Sequence, residues 1–320
     1  MAIEISLINE NEALTHWANS SHGSVFNHPK ILGVLSQVVD WWAAKKGKQT
    51  QAIWPVCKPN GSDVDLPDLT YYVGPLWSNE VYPLPGHRSL ARTTEVYNGF
   101  IEKLIENYGS IVASLPKGLH DVRVFDWWNY HQKSKPRFQI RPRFTACIEG
   151  LQEKSEEQIL ADFRQLRRRE LRSIEKETTP PQRSFHWTAD DLTNLYLEVV
   201  DDQTEEIKKA NLNQIPSLVK LVNHGYGEVV AYQDPVSQRT IAACLLLYGN
   251  HEANMVLNLV DNQWRGTGLS ALMIKEAILS AKSKGMSTFD FNGANSPNRG
   301  DDKHSYGAKP VLYFEIKYPG

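Results

Sequence analysis

Residues 3–8, IEISLI, alternate apolar and polar as a half-buried strand does. Helix-spaced runs follow over 11–18 and 28–44. In the second, Ile31, Leu32, Leu35, Val38, Val39 and Trp42 fall on one face. Residues 48–57 read as a strand, Lys58-Pro59-Asn60-Gly61 as a turn, and 66–77 as a strand ending at Gly74-Pro75. A helix over 95–108 is stopped by Gly109, and strands are expected at 111–115, 122–127 and 138–148. A long helix over 155–176 opens on Ser155-Glu156-Glu157-Gln158, the pattern of a capping box. Ile159, Leu160, Phe163, Leu166, Leu171 and Ile174 share its apolar face, while Arg164, Arg168, Arg172 and Lys176 run down a flank. Arg167 projects into the middle of the apolar face. An arginine there needs an acid partner or a polar cavity, so a structural ion pair and a substrate contact stand side by side.

Thr178-Thr179-Pro180-Pro181 breaks the chain. Beyond it the pattern gives a strand (183–187), two helices (190–201 and 215–224) and three strands (228–233, 240–248 and 253–260). The short links between those three strands predict an antiparallel meander. A loop, a helix of about four turns and a strand over 287–292 follow.

The loop Gln263-Trp264-Arg265-Gly266-Thr267-Gly268 carries the chemistry. Gly266 and Gly268 let the backbone take unusual dihedral angles and approach a ligand closely. The helix that starts at Gly268 has N–H groups without intrahelical partners, at the positive end of its dipole. That is an anion site, most often for phosphate, and Arg265 adds a full charge. No Lys follows Gly268, so this is not a P-loop, and the dinucleotide-binding spacing GxGxxG is absent. The pattern Q-x-x-G-x-G between a strand and a helix resembles the pyrophosphate loop of the GNAT acyltransferases. The plain alternative is an ordinary strand-to-helix turn.

A second resemblance covers nearly the whole chain. FRQLRRRELRSIEKE, FDFNGANSP and the ending SYGAKPVLYFEIKY resemble the FemAB-like branch of the GNAT superfamily. The resemblance implies an α/β (α+β) chain of two tandem GNAT-like domains, each a mixed central sheet flanked by helices. The first, over 1–150, is degenerate; the second, over 151–320, holds the acyl-donor site. FemAB proteins proper transfer amino acids from aminoacyl-tRNA to cell-wall precursors, and relatives use acyl-CoA. FemAB proteins commonly lack a clean pyrophosphate loop. This chain has one, which favours acetyl-CoA or another acyl-CoA as donor. The coiled-coil arm that assists tRNA binding has no counterpart here, since no long heptad run occurs.

The resemblance also implies residue roles. The donor's pantetheine arm lies in the gap between 253–260 and 287–292, on backbone amides near Leu259 and Val260. Gln263, Arg265, Gly266, Thr267, Gly268 and Leu269 hold its pyrophosphate. Tyr306 stands where GNAT enzymes often keep a general acid for the leaving thiolate. Asp290 and His304 are base candidates; a strand-end hydrogen-bonding Asp and a surface His are their plain readings. Asn258, Asn292, Arg167 and Trp128 are expected substrate contacts. Trp128 comes from Trp127-Trp128-Asn129-Tyr130-His131, at an expected strand end in a half rich in Trp41, Trp42, Trp54 and Trp77. Packing is the commoner use of tryptophan.

The rest of the sequence narrows the class. The chain has 320 residues and a formal net charge of -2, enough for two domains and not a globally basic nucleic-acid binder. The acidic start lacks a basic n-region, no apolar run approaches a membrane span, and Cys57, Cys147 and Cys244 form no CxxC pair. The expectation is a cytoplasmic protein with reduced thiols. No metal-ligand spacing or serine-hydrolase elbow occurs, and no metal is expected. The function read from all this is acyl-CoA-dependent N-acylation of a small amine acceptor, an amino sugar or an amino-acid-like molecule. Two alternatives remain: an aminoacyl-tRNA-dependent transferase, with tRNA as partner, and a non-catalytic binding protein of the same fold. Oligomeric state has no signature in the sequence.

Overall fold

A computed structural model of the chain describes residues 2–83, 86–200 and 203–319. Residue 201, the last of one expected helix, lies outside them. The chain divides into two compact units, one of Met1–Arg143 with Leu312–Gly320 and one of Phe144–Val311.

The first unit begins with β1 (Glu4–Ile8), α1 (Glu10–Ala18), α2 (Pro29–Leu35), β2 (Val38–Lys46) and β3 (Gln49–Lys58). Next come β4 (Leu76–Trp77), α3 (His87–Tyr108), β5 (Ile111–Ser114) and α4 (Arg123–Trp127). The expected helix over 28–44 is thus a short helix and a strand. β-branched and aromatic Val38, Val39, Trp41 and Trp42 suit a strand, and pairing with both β1 and β3 outweighs the helical spacing. Only Leu76–Trp77 of the expected strand 66–77 is paired, on β3. The expected strand 122–127 is α4, and it packs Val124 and Phe125 into the core. Trp42, Trp54 and Trp77 are core residues, with Trp54 edge-on to Tyr97, Phe100 and Phe125.

His22 and His28 of this unit are buried, and burial pushes both imidazoles down to about 4. A histidine with a depressed folded pKa contributes stability above its ordinary value of 6.5, and that stability is lost as the pH falls toward 4. The melting temperature is therefore expected to drop between those two values. Replacing His22 by Gln should remove part of the drop in a pH series of thermal melts.

The second unit takes the end of β6 (Gln139–Glu149), then α5 (Glu156–Asp162), α6 (Gln165–Ile174), β7 (Gln182–Ser184), α7 (Ala189–Val199) and α8 (Glu205–Asn223). β8 (Gly227–Gln233), β9 (Thr240–Tyr248) and β10 (Glu252–Val260) form the expected antiparallel meander. α9 (Leu269–Ser283), β11 (Thr288–Asp290), α10 (Pro297–His304) and β12 (Lys309–Tyr318) complete the chain. β11 lies between β10, parallel, and β6, antiparallel. The expected boundary at residue 150 differs from this division at both ends. β6 pairs with β11, which carries residues 144–149 into the second unit, and β12 pairs with β5, which returns Leu312–Gly320 to the first.

The expected long helix over 155–176 breaks at Phe163 and Arg164, whose backbone is extended. Tertiary contacts draw it open. Phe163 packs edge-on against Tyr306, and the Arg164 N–H donates to the Ser305 carbonyl at 2.8 Å. The break turns Leu166 off the expected apolar face, leaving it 60% exposed. α9 is seated between the sheet and α6, burying Leu269, Met273, Ile274 and Ile278. Each such side chain contributes roughly 1.5–3 kcal/mol, more than the ~1 kcal/mol of a side-chain cap. Packing alone can therefore hold α9 in place with its first N–H groups uncapped.

Candidate functional site: a splayed strand pair and a glycine loop

β10 and β11 pair only through Glu252↔Thr288, Ala253↔Phe289 and Asn254↔Asp290. Beyond Asn254 they separate. Two local features open the gap. A register shift between Met255 and Leu257 bends β10, the signature of a bulge. Asn292 takes a left-handed backbone with φ at 50°, which Asn tolerates better than most residues. Its Nδ2 then donates to the Met255 carbonyl at 3.0 Å, a side-chain substitute for the next ladder bond.

The ladder on the other edge of β10 fixes which groups face the gap. The Asp261 N–H donates to the Ile241 carbonyl, and the register places Val260 opposite Ala242 and Leu259 opposite Ala243. Antiparallel pairs alternate, so the backbone of Leu259 turns toward β9 and the backbones of Asn258 and Val260 face the gap. Leu259 itself is buried. Of the expected pair, the Val260 backbone faces the gap and the Leu259 backbone does not, while that of Asn258 does.

The loop follows directly. Asp261 caps a 3-10 turn over Asn262–Trp264 by accepting the Gln263 N–H at 2.8 Å. Gly266 has φ at 79°, and a Cβ placed there would meet nothing within 4 Å. Gly268 has φ at 99° and starts α9 without a side-chain cap. A Cβ at Gly268 would fall on the backbone carbonyl of Glu170 in α6, so this glycine is required by helix packing. Thr267 folds its hydroxyl back to the Trp264 carbonyl, donating at 2.8 Å. The N–H groups of Gly266, Gly268, Ser270 and Ala271 take no partner among the described residues. Helices α1, α5, α7 and α8, by contrast, start under a capping side chain. The start of α9 thus offers donors, open space and a positive dipole end, which fits a pyrophosphate. Gln263 is exposed, whereas the Leu269 side chain is buried in the core and leaves only its backbone to the loop. Arg265 donates to the Val199 carbonyl at 3.0 Å, so its expected role beside a phosphate competes with a bond to the end of α7.

Around the closed end of the gap the side chains are polar and enclosed. Asp290 accepts from the Thr145 hydroxyl and from the Asn292 N–H. Lys303 donates to the carbonyls of Asn292 and Gly293. Asn254, fully buried, finds no partner for either end of its amide among the described residues, and neither does Oδ1 of Asn292. Such groups cost about 1–3 kcal/mol each unless water or a ligand meets them.

Tyr306, Arg167 and His304 are each held by packing or hydrogen bonds within the second unit. Tyr306 is fully buried, stacked on Phe291 and covered by the Arg167 guanidinium at 5.1 Å from its ring. Burial pushes its hydroxyl well above the usual range, with the Asp302 charge adding, so it stays protonated. That hydroxyl approaches Ser270 at the start of α9. Arg167 donates to Ser305 and Glu170, each at 2.7 Å, and to Asp302. The ion-pair reading of Arg167 is the one the geometry fills. His304 is half-buried and its Nδ1 lies 2.8 Å from the Ala308 carbonyl. A carbonyl only accepts, so Nδ1 carries the proton and Nε2 is left as the acceptor in the neutral ring. Asn258 is exposed beside the gap. Trp128 packs against the core of the first unit at the end of α4, and the strand end expected for it does not exist.

No protein-family model matches the sequence, and no curated protein matches it. Solved structures do match its fold. The chain superposes on FemX with a TM-score of 0.63 at 10% identity, covering 97% of this chain and 96% of FemX. It superposes on a tandem GNAT protein from the clavulanic acid biosynthesis pathway with a TM-score of 0.56 at 13% identity, over 99% of each chain. L-PGS from Bacillus licheniformis gives 0.51 at 12% identity, over 97% of this chain and 92% of that one. The chain thus shares its fold with FemX and with that tandem GNAT protein. Among the described residues, no helix is long and apolar enough to cross a membrane.

Proposed function

We propose that the protein is an acyl-CoA-dependent N-acyltransferase that moves an acyl group from a CoA thioester to the amine of a small acceptor. The observation that carries this reading is the splay of β10 from β11 running straight into a glycine loop with unpartnered N–H groups. A gap edged by the backbones of Asn258 and Val260 suits an amide-bearing arm, and the start of α9 suits its pyrophosphate. An amine acceptor must lose a proton and the departing thiolate must gain one. Of the three expected groups, His304 keeps solvent access and an acceptor nitrogen, whereas Asp290 and Tyr306 are enclosed. His304 is therefore the favoured base, with Asp290 ordering the Asn292 backbone and Tyr306 a protonated hydroxyl near Ser270. An amino sugar or an amino-acid-like molecule remains the proposed acceptor class.

Calorimetry with acetyl-CoA and longer acyl-CoAs tests the reading. Binding is expected between about 1 μM and 1 mM, the usual span for enzyme substrates. No heat from any CoA thioester at about 1 mM would overturn it.

A second reading, transfer from aminoacyl-tRNA, is favoured by the FemX likeness and by one surface. Arg168, Arg169 and Arg172 of α6 are exposed and make no ion pair among the described residues. Retention of aminoacyl-tRNA that falls steeply with salt, beside no binding of CoA thioesters, would select it over the first.

A further inference from the structure

The donor loop is held by a group outside it. Arg239 stands at the turn into β9. Its Nη1 donates to Glu198 of α7 at 2.6 Å, and its Nη2 donates to Asp261. The other Asp261 oxygen accepts the Gln263 N–H at 2.8 Å. Asp261 is buried, so its carboxylate depends on these two partners. Two further bonds fasten the loop to the same end of α7. Asn262 donates to the Glu198 carbonyl at 3.3 Å and Arg265 to the Val199 carbonyl at 3.0 Å. These carbonyls lie in the last helical turn, where no intrahelical donor reaches them and the dipole end is negative. Asn262 and Arg265 supply that turn with donors, and Arg239 adds a positive charge beside it.

We infer that Arg239 is a positioning residue for the donor loop: through Asp261 and Glu198 it clamps residues 261–265 against α7 and so sets where the N–H groups of Gly266 and Gly268 point. The inference rests on the proposed function for the identity of the donor. Without Arg239, Asp261 keeps a buried carboxylate with one neutral donor, and the loop relaxes to bring that charge to water. The donor then meets the same N–H groups in a looser frame. Affinity for the donor falls, and the chemical step, which uses none of these groups, does not.

The experiment compares Arg239→Gln, Arg239→Lys and Glu198→Gln with the unaltered protein. Each is measured by thermal melting, amide hydrogen exchange of the loop without ligand, and kcat and KM with acetyl-CoA, with CoA affinity alongside. Arg239→Gln is expected to speed exchange of the Gln263 N–H and to raise KM and Kd about tenfold, the effect of one charge-assisted hydrogen bond, with kcat unchanged. Arg239→Lys should recover part of the affinity, because one ammonium cannot span both carboxylates as the guanidinium does. Glu198→Gln keeps an acceptor on the exposed side and should change KM less than Arg239→Gln does. Unchanged exchange in folded Arg239→Gln protein overturns the clamp. Faster exchange with unchanged KM and Kd overturns its role in donor binding, as does a fall in kcat at constant KM. If the unaltered protein binds no CoA thioester, the proposed function fails and the donor role fails with it, while the exchange data still decide whether the clamp exists. Should Arg239→Gln fold poorly, Glu198→Gln and Arg239→Lys carry the same comparison at smaller amplitude.

Discussion

Arg167→Ala is expected to destabilise the protein by about 3 kcal/mol, the scale for removing one partner of an enclosed ion pair. Arg167 sits between Glu170 and Asp302, with its side chain 16% exposed. Removing it leaves two carboxylates facing a gap where a guanidinium stood, and uncovers the ring of Tyr306. Arg164→Ala is the control. Its ion pair with Asp301 lies at the surface, so that change should stay within about 0.5 kcal/mol. The pH dependence gives a second check. Burial pushes the Asp302 carboxyl up from its ordinary 3.8, and Arg167 pulls it down. Without Arg167 the carboxyl rises further. A carboxyl raised in the folded state contributes stability below its unfolded value, and that stability is lost as the pH rises through the folded value. The deficit of Arg167→Ala should therefore be smallest near pH 3.8 and grow toward neutrality in urea titrations. Equal stability of the two variants at neutral pH would mean that Arg167 is not structural, and would return it to the list of substrate contacts.

The second unit was legible in the sequence because its signals are local and agree with one another. Each strand of the meander is an apolar run closed by a short turn, and the capping box at Ser155 and Gln158 forms as its letters suggest. The loop was legible because two glycines before an apolar helix admit few backbones. The first unit was less so. Val38 to Trp42 satisfies helical spacing and strand propensity together, and only pairing with β1 and β3 decides between them. The break at Phe163 was hidden for a related reason. Nothing in FRQL forbids a helix; the bond to Ser305 and the ring contact with Tyr306 reach across to a part of the chain far off in sequence.

The site was legible as a loop and a gap, and less so as a set of partners. The buried Asn254 had a signal, an amide inside the apolar run ANMVLNLV, and it was overlooked because alternation alone assigns such a residue to a solvent face. Arg239 and Asp261 had none, since neither type nor spacing tells an arginine in a hairpin turn that its partner lies 22 residues ahead. Tyr306 had a place by family position but no signal for its surroundings: the fold stacks it on Phe291 under Arg167.

The two glycines of the loop are expected to part company when each is replaced by alanine. Gly268→Ala should lower stability by about 2–4 kcal/mol, combining overpacking with a left-handed backbone. Its new methyl would fall on the Glu170 carbonyl and lie 3.3 Å from Ile174, forcing α6 and α9 apart. Gly266→Ala meets open space, so only its left-handed φ of 79° acts on the fold, at about 1–2 kcal/mol. Its effect should appear on the ligand instead. A methyl at the mouth of the loop intrudes where an anion would bond to the backbone, and CoA affinity should fall roughly 10- to 100-fold, the loss of about one charge-assisted hydrogen bond. Melting temperature and calorimetric affinity for the two variants decide the matter. A stable Gly266→Ala protein with weakened CoA binding places the donor on this loop. Undiminished affinity in that variant would leave Gly266 as a turn residue and move the donor's phosphates elsewhere.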